Sequence, residues 1–229
     1  VEYIPLETTA DPASLLDGVS EYAVTSNYIY VSPVKEQRIV QFDRKGQFVK
    51  TLIPFGQGPG EFSGILPCIQ VDERNDRLFL FSNNRVWEYT LEGEFIGQST
   101  HEYSVIYMRH IGKDRFAAIS FPFQPFNGGG FGLGLFSRKG DTIAIKNDFY
   151  SFLLPHEKSG FTTSIASAYS DAQNSVLFKT GSNDTVFCIS ADRISAACVL
   201  DLKNSDAEVI RSLDVTDMSN LRIEKKDPK

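Results

Sequence analysis

Histidine, the side chain most often used for proton transfer and metal binding near neutral pH, occurs three times, at His101, His110 and His156. None of them has a second ligand at a metal-site spacing such as H-E-x-x-H, so the sequence predicts no bound metal and no other cofactor. His110 follows Arg109 at the end of the apolar run 106–108, which has the composition of a strand. We therefore take Arg109 and His110 as candidate ligand-binding residues. A packed or surface histidine without a chemical role is the alternative.

Residues 121–130 form the most unusual stretch, because phenylalanine and proline alternate there before a run of three glycines. This stretch interrupts a repeat, described below, where a loop between strands belongs. Phe123 and Phe126 are candidate binding residues, since rings on a loop held by a rigid scaffold can stack on a sugar or grip a peptide. The alternative is a long hairpin loop whose rings pack on neighbouring strands.

The glycine-rich segment Gly56–Phe62 has the composition of a phosphate-binding loop. It lacks the G-x-G-x-x-G spacing and the Gly-Lys-Ser/Thr ending, and no helical pattern follows it. We therefore predict a structural bend between two repeats, with Phe62 packed between them. No G-x-S-x-G nucleophile motif occurs either, so no catalytic set is recognisable.

A repeat of about 47 residues positions these segments. Gly46, Gly93 and Gly140 are spaced by 47 residues, and apolar residues alternate with polar ones around each glycine. A tight turn between antiparallel strands needs a positive φ, which glycine adopts at little cost. A looser fourth copy has Asp192 near the glycine position.

Two further short apolar runs precede each predicted hairpin, which gives four strands per repeat. Four strands in about 47 residues are typical of a propeller blade. We predict an all-β fold, a single β-propeller domain over residues 1–229 with four-stranded blades, and short helical turns at 11–16 and 205–211 as connectors. The predicted blades are 22–62, 65–100, 105–149 and 166–202.

Composition excludes some classes of partner. The formal net charge of −6 and the pI of about 5.1 argue against nucleic acid, which requires a basic surface. No apolar run approaches the roughly 20 residues of a membrane-spanning helix. Three cysteines, Cys68, Cys188 and Cys198, do not make a disulfide framework, so we expect buried thiols; a Cys188–Cys198 bridge is the alternative.

The opening Tyr3–Thr8, the segment Gly56–Phe62 and the later run 183–187 resemble the NHL-type propellers. More closely, they resemble six-bladed and mostly uncharacterised propeller proteins of gut-dwelling Gram-negative bacteria. The resemblance covers about residues 1–202 and implies a periplasmic or cell-surface protein, with any lipid anchor on a segment that this chain lacks.

Six blades are implied by this resemblance, whereas four are visible. We therefore expect either that this chain is part of a longer protein, or that residues 203–229 and a partner complete the ring. An unfinished ring would expose apolar faces and strand edges at its two ends.

The function expected from the sequence is non-catalytic. We predict a ligand-binding or protein-interaction propeller of the bacterial cell envelope, with a small molecule, a glycan or a protein at the mouth of the central channel. Two alternatives stay open. One is a metal-dependent propeller hydrolase or lyase, since related propellers hold a metal in the channel; the other is a carbohydrate-recognition module that uses the aromatic residues of 121–130. Fold alone does not decide between them.

Overall fold

A computed structural model describes residues 3–8, 12–36, 38–64, 68–102, 105, 107–119, 132–146, 167–170, 174–179 and 185–201. Within these residues the chain forms 3-10 turns at Pro12–Ser14 and Glu73–Asn75 and the following strands: β1 (Val19–Val24), β2 (Tyr28–Pro33), β3 (Ile39–Asp43), β4 (Phe48–Ile53), β5 (Cys68–Asp72), β6 (Arg77–Ser82), β7 (Arg85–Tyr89), β8 (Phe95–Thr100), β9 (Tyr107–His110), β10 (Arg115–Ile119), β11 (Leu133–Ser137), β12 (Thr142–Lys146), β13 (Ser167–Ser170), β14 (Val176–Lys179), β15 (Thr185–Ile189) and β16 (Ile194–Val199). The first turn lies within the predicted segment 11–16; the segment 205–211 is outside the described residues.

The strands form four antiparallel sheets of four strands each, and every sheet follows the chain order, β1 to β4, β5 to β8, β9 to β12 and β13 to β16. The first strands of successive sheets lie together, because β5 contacts both β1 and β9. In the second and third sheets the fourth strands, β8 and β12, are the most exposed, whereas in the first sheet β1 is more exposed than β4. Sheets that stand side by side with their first strands innermost are propeller blades, so the prediction of an all-β propeller with four-stranded blades is confirmed. We call the sheets the first to the fourth blade.

The glycines of the repeat occupy equivalent hairpins. Gly46, Gly93 and Gly140 lie between the third and fourth strands of the first three blades, with φ of 86°, 87° and 100°. In each turn the glycine N–H donates to the carbonyl oxygen three residues earlier at 3.0 Å. The fourth hairpin is shorter, because Ser190 N–H already bonds the carbonyl of Arg193 at 3.0 Å. Neither Ala191 nor Asp192 in this turn has a positive φ, so the turn does not need the glycine, which explains why this copy of the repeat is looser.

Apolar side chains fill the spaces between successive blades. One cluster joins the first and second blades through residues such as Tyr30, Ile53 and Tyr89, and it includes Phe62. The ring of Phe62 is 1% exposed and meets Trp87 edge-on at 4.7 Å, so the predicted packing of Phe62 between two repeats is confirmed. Burial of one such ring contributes about 2–3 kcal/mol, so the apolar junctions stabilise the packing of successive blades.

The chain before β1 covers the outer face of the first blade. Ile4, Leu6 and Leu16 pack on a buried cluster that includes Val40 and Phe42. The Glu7 N–H donates to the Gly46 carbonyl at 2.7 Å, and a side chain at Gly46 would collide with the Pro5 carbonyl. The N-terminal segment therefore covers the apolar cluster on this side of the first sheet, whereas Val19, Tyr22 and Val24 of β1 are exposed.

Candidate functional site

The innermost strands bring polar side chains of three blades together. In the strand registers Ala23 lies opposite Tyr30, Gln70 opposite Phe79, and Arg109 opposite Ala117. These partners in turn face Gln41, Glu88 and Leu135, which each lie five residues before a hairpin glycine. Ala23, Gln70 and Arg109 are thus equivalent positions. Two residues earlier on each inner strand lies a second equivalent set, Glu21, Cys68 and Tyr107.

Four of these residues, Glu21, Gln70, Tyr107 and Arg109, form what we call the channel cluster. The Arg109 guanidinium donates through NH1 to the Gln70 side-chain oxygen at 3.3 Å and lies 5.3 Å from the centre of the Tyr107 ring. Its Nε is buried and has no hydrogen-bond partner within the described part of the chain. Arg109 therefore keeps a donor that none of the described residues uses.

Charged residues from different blades influence one another in the channel cluster. Burial raises the pKa of Glu21, and the positive charge of Arg109, two blades away, acts in the opposite direction. Burial also raises the pKa of Tyr107 to about 12, again against the charge of Arg109, so this phenol stays protonated at neutral pH. The cluster thus combines one cation, one carboxyl group and neutral donors in a partly desolvated place.

Cys68, which lies next to the cluster, is an unreactive thiol. Burial raises the pKa of Cys68 to about 12, and its Sγ contacts the Met108 carbonyl oxygen at 3.7 Å. A thiol is a nucleophile only when it loses its proton, so Cys68 serves as a packed residue. Cys188 and Cys198 are also free thiols, so the alternative of a bridge between them is wrong. Their register explains this result, because Cys198 lies opposite Val186. The expectation of buried thiols holds for Cys68 but is wrong for the other two, since Cys188 is half-buried and Cys198 is exposed.

His110 points to a different place from Arg109, because successive side chains of a strand alternate between its two faces. The His110 ring stacks on Phe79, with centroids 5.0 Å apart, and its Nδ1 lies 3.7 Å from an Asp72 oxygen. These residues line a cleft of about 340 Å³ that also contains Lys113. Burial lowers the pKa of His110, and the carboxylate of Asp72 opposes this shift. The structure thus separates the two adjacent residues that the sequence singled out.

The other candidates fall outside this geometry. Phe123 and Phe126 lie outside the described residues. Among the residues that are described, no three His, Cys, Asp or Glu side chains are grouped so as to hold a metal ion. None of the helices in the described part of the chain has the length and apolar character needed to cross a membrane.

The sequence did not identify Gln70 or Glu21 as neighbours of Arg109. Gln70 lies 23 residues before its hairpin glycine and Arg109 lies 31 before its own, because the loops within the two repeats differ in length. Equivalence therefore appears only through the strand register. A usable signal was nevertheless present, since a charged residue on a predicted inner strand needs a polar neighbour.

Among the solved structures that resemble this chain are the following two. A predicted exported protein of Bacteroides fragilis is 18% identical with a TM-score of 0.66, and the match covers 85% of this chain and 54% of that one. Virginiamycin B lyase of Staphylococcus aureus is 13% identical with a TM-score of 0.50, and the match covers 80% of this chain and 56% of the lyase. The chain thus spans little more than half the length of either protein. At such identities the likeness shows the fold alone.

The sequence comparisons point to a single family. No curated protein matches the sequence. The family DUF4934, described as a domain of unknown function, matches residues 1–228.

Proposed function

Since the chain belongs to the DUF4934 family of unknown function, we propose a role from its own geometry: a non-catalytic propeller that binds a small anionic ligand at the channel cluster. Arg109 carries this proposal. Its guanidinium is held in place by Gln70 and by the Tyr107 ring, and its buried Nε has no partner among the described residues. A buried donor without a partner costs free energy, which a ligand carboxylate or phosphate would recover.

The chemistry around Arg109 favours binding over catalysis. A general base or nucleophile works best with a pKa near the working pH. The phenol of Tyr107 and the thiol of Cys68 instead have pKa values raised to about 12. Glu21 supplies a carboxyl group opposite Arg109, which favours a ligand that also carries a hydroxyl or amino group. The ligand class that follows is a small carboxylic acid or phosphate ester with neighbouring hydroxyl groups.

We place this activity in the cell envelope. The Bacteroides fragilis protein with the same fold is named as a predicted exported protein, and the family resemblance in the sequence implies the same location. Fractionation of cells that express the natural gene tests this part of the proposal: the protein is expected with the periplasm or the cell surface. Recovery in the cytoplasmic fraction alone would contradict it.

The binding test is a thermal-shift and calorimetric screen with citrate, glucuronate, inorganic phosphate and neutral glucose. At least one anion, but not glucose, is expected to raise the melting temperature of the protein. Arg109→Gln should abolish the response, and Arg109→Lys should keep part of it, because lysine retains the charge without the planar fork. Arg193→Gln is the matched control, since Arg193 is an exposed arginine in the hairpin of the fourth blade.

Two results would refute the proposal. One is that none of the anions shifts the melting temperature at millimolar concentration. The other is that Arg109→Gln responds to them as the unaltered protein does.

A further inference from the structure

The proposed function does not decide which group of the ligand faces Glu21. This side chain is half-buried on β1, the innermost strand of the first blade, whereas Arg109 lies on β9 of the third blade. Strand β5 of the second blade contacts both β1 and β9, so the three strands bring their side chains toward one space. The acid and the cation of the channel cluster therefore come from blades that are not neighbours.

Glu21 and Arg109 influence each other without touching. Burial raises the pKa of Glu21, and the positive charge of Arg109 opposes this shift, so the two groups lie within electrostatic reach. Glu21 nevertheless forms no ion pair with Arg109 or with any other residue that the structure describes. A gap therefore separates the carboxyl group from the guanidinium.

The rest of the channel cluster is neutral. The side-chain oxygen of Gln70 accepts a hydrogen bond from Arg109 at 3.3 Å, and its nitrogen donates to a backbone carbonyl of its own strand at 2.8 Å. Burial raises the pKa of Tyr107 and of the neighbouring thiol of Cys68 to about 12, so both keep their protons at neutral pH. The groups left to bind the charged parts of a ligand are the carboxyl group of Glu21 and the guanidinium.

The first blade has no long side chain at the position that holds the guanidinium in the third. Ala23 stands where Gln70 and Arg109 stand in the next two blades. Its methyl group packs on the apolar cluster between the first and second blades. The first blade therefore contributes Glu21 to the channel cluster and leaves the equivalent of the Gln70 position small.

We propose that the channel cluster selects a small zwitterion, an amino acid whose carboxylate binds Arg109 and whose ammonium group binds Glu21. This inference rests on the proposed function, because it names the group of the ligand that lies opposite the bound anion. Burial without a cation in contact disfavours the ionised form of a carboxyl group. The ammonium group of the ligand would supply that contact as a charge-assisted hydrogen bond.

The arrangement of charges discriminates against other small ions. A second anionic group on the ligand would lie against Glu21, and a ligand with ammonium groups alone would face Arg109, so each is opposed by like charge. A hydroxyl group in place of the amine would bond Glu21 without balancing its charge. Because hydrogen bonds between charged groups are roughly twice as strong as neutral ones, the amine is favoured over the hydroxyl.

The test is isothermal titration calorimetry with amino acids and the hydroxy acids of equal length. The pairs are glycine with glycolate, β-alanine with 3-hydroxypropionate, and 4-aminobutyrate with 4-hydroxybutyrate, so that only the amine and the hydroxyl are exchanged within a pair. In at least one pair the amino acid is expected to bind about tenfold more tightly than the hydroxy acid. Glu21→Gln should abolish this preference and leave binding of the hydroxy acid, because glutamine keeps the size of the side chain without its charge.

Glu94→Gln is the matched control and should keep the preference, since Glu94 is exposed in the hairpin between β7 and β8, away from the channel cluster. Circular dichroism and melting temperatures confirm that each variant is folded. The inference is overturned if no amino acid binds more tightly than its hydroxy acid, if no member of the series binds, or if Glu21→Gln keeps the preference. Failure of the proposed function is distinct, because Arg109→Gln would then bind citrate, glucuronate and phosphate as the unaltered protein does.

Discussion

His101 should make the folded protein lose stability in mild acid. The side chain is 2% exposed, and neither ring nitrogen has a hydrogen-bond partner among the described residues. The rings of Phe116 and Phe136 meet the imidazole edge-on, and the backbone is fixed by a 2.8 Å bond from the His101 N–H to the Asn84 carbonyl. In this apolar place burial lowers the pKa of His101 to about 4.

The sign and size of the effect follow from proton linkage. Because the folded pKa is depressed, the unfolded chain, with a histidine pKa of about 6.5, takes up the proton first as the pH falls. Stability contributed by the neutral ring is therefore present at pH 7, decreases below pH 6.5 and is fully lost below about pH 4. Between pH 7 and pH 5 the expected loss is about 2 kcal/mol.

The assay is urea denaturation at pH 7 and pH 5 for the unaltered protein and for His101→Gln, which cannot titrate. The difference in the free energy of unfolding between pH 7 and pH 5 should be about 2 kcal/mol smaller in the variant. His110→Gln is the comparison: its effect should be smaller, because the Asp72 carboxylate partly offsets the burial that lowers the pKa of His110. Equal pH dependence of the unaltered protein and His101→Gln would refute the reasoning.

Two further substitutions test the junctions between blades. Glu88→Gln removes the carboxylate that pairs with one arginine of its own blade and one of the next. Because these arginines are partly exposed, urea denaturation should show that the free energy of unfolding falls by about 1–2 kcal/mol. Glu92→Gln, which breaks an exposed pair, should lower it by under about 1 kcal/mol. Equal losses would contradict this assignment. Phe62→Ala should cost about 3–5 kcal/mol and shift the fluorescence of Trp87, the single tryptophan, to longer wavelength, since the removed ring covers it. An unchanged emission spectrum would show that Phe62 does not shield the indole.

The fold was predictable because its signals are local. A hairpin closed by Gly46 depends on five consecutive residues, and the same chemistry returns at Gly93 and Gly140. The fourth hairpin shows the limit of this approach. Asp192 lies near the expected position, but its turn is a residue shorter, and turn length is set by strand pairing that one sequence does not display.

The channel cluster was less accessible, because its members come from three blades. Arg109 was singled out from its neighbours in sequence, whereas Gln70 lies 39 residues away and is in contact through its side chain. Loops of unequal length within the repeats hide the equivalence of these two positions. The sequence analysis also treated His110 and Arg109 as parts of one site. They belong to different sites, because adjacent residues of a strand lie on its opposite faces.

Differences between the blades can be read from the sequence once the repeats are aligned. The 47-residue period already aligns Glu92 with Lys139 and Lys50 with Gly97. Positions that build the hairpins and the apolar junctions must stay alike in every repeat, because each blade solves the same packing problem. A position that reverses its charge or loses its side chain between repeats is free of that constraint. Arg109 occupies a position of this kind, because Ala23 and Gln70 stand at the equivalent places of the first two blades.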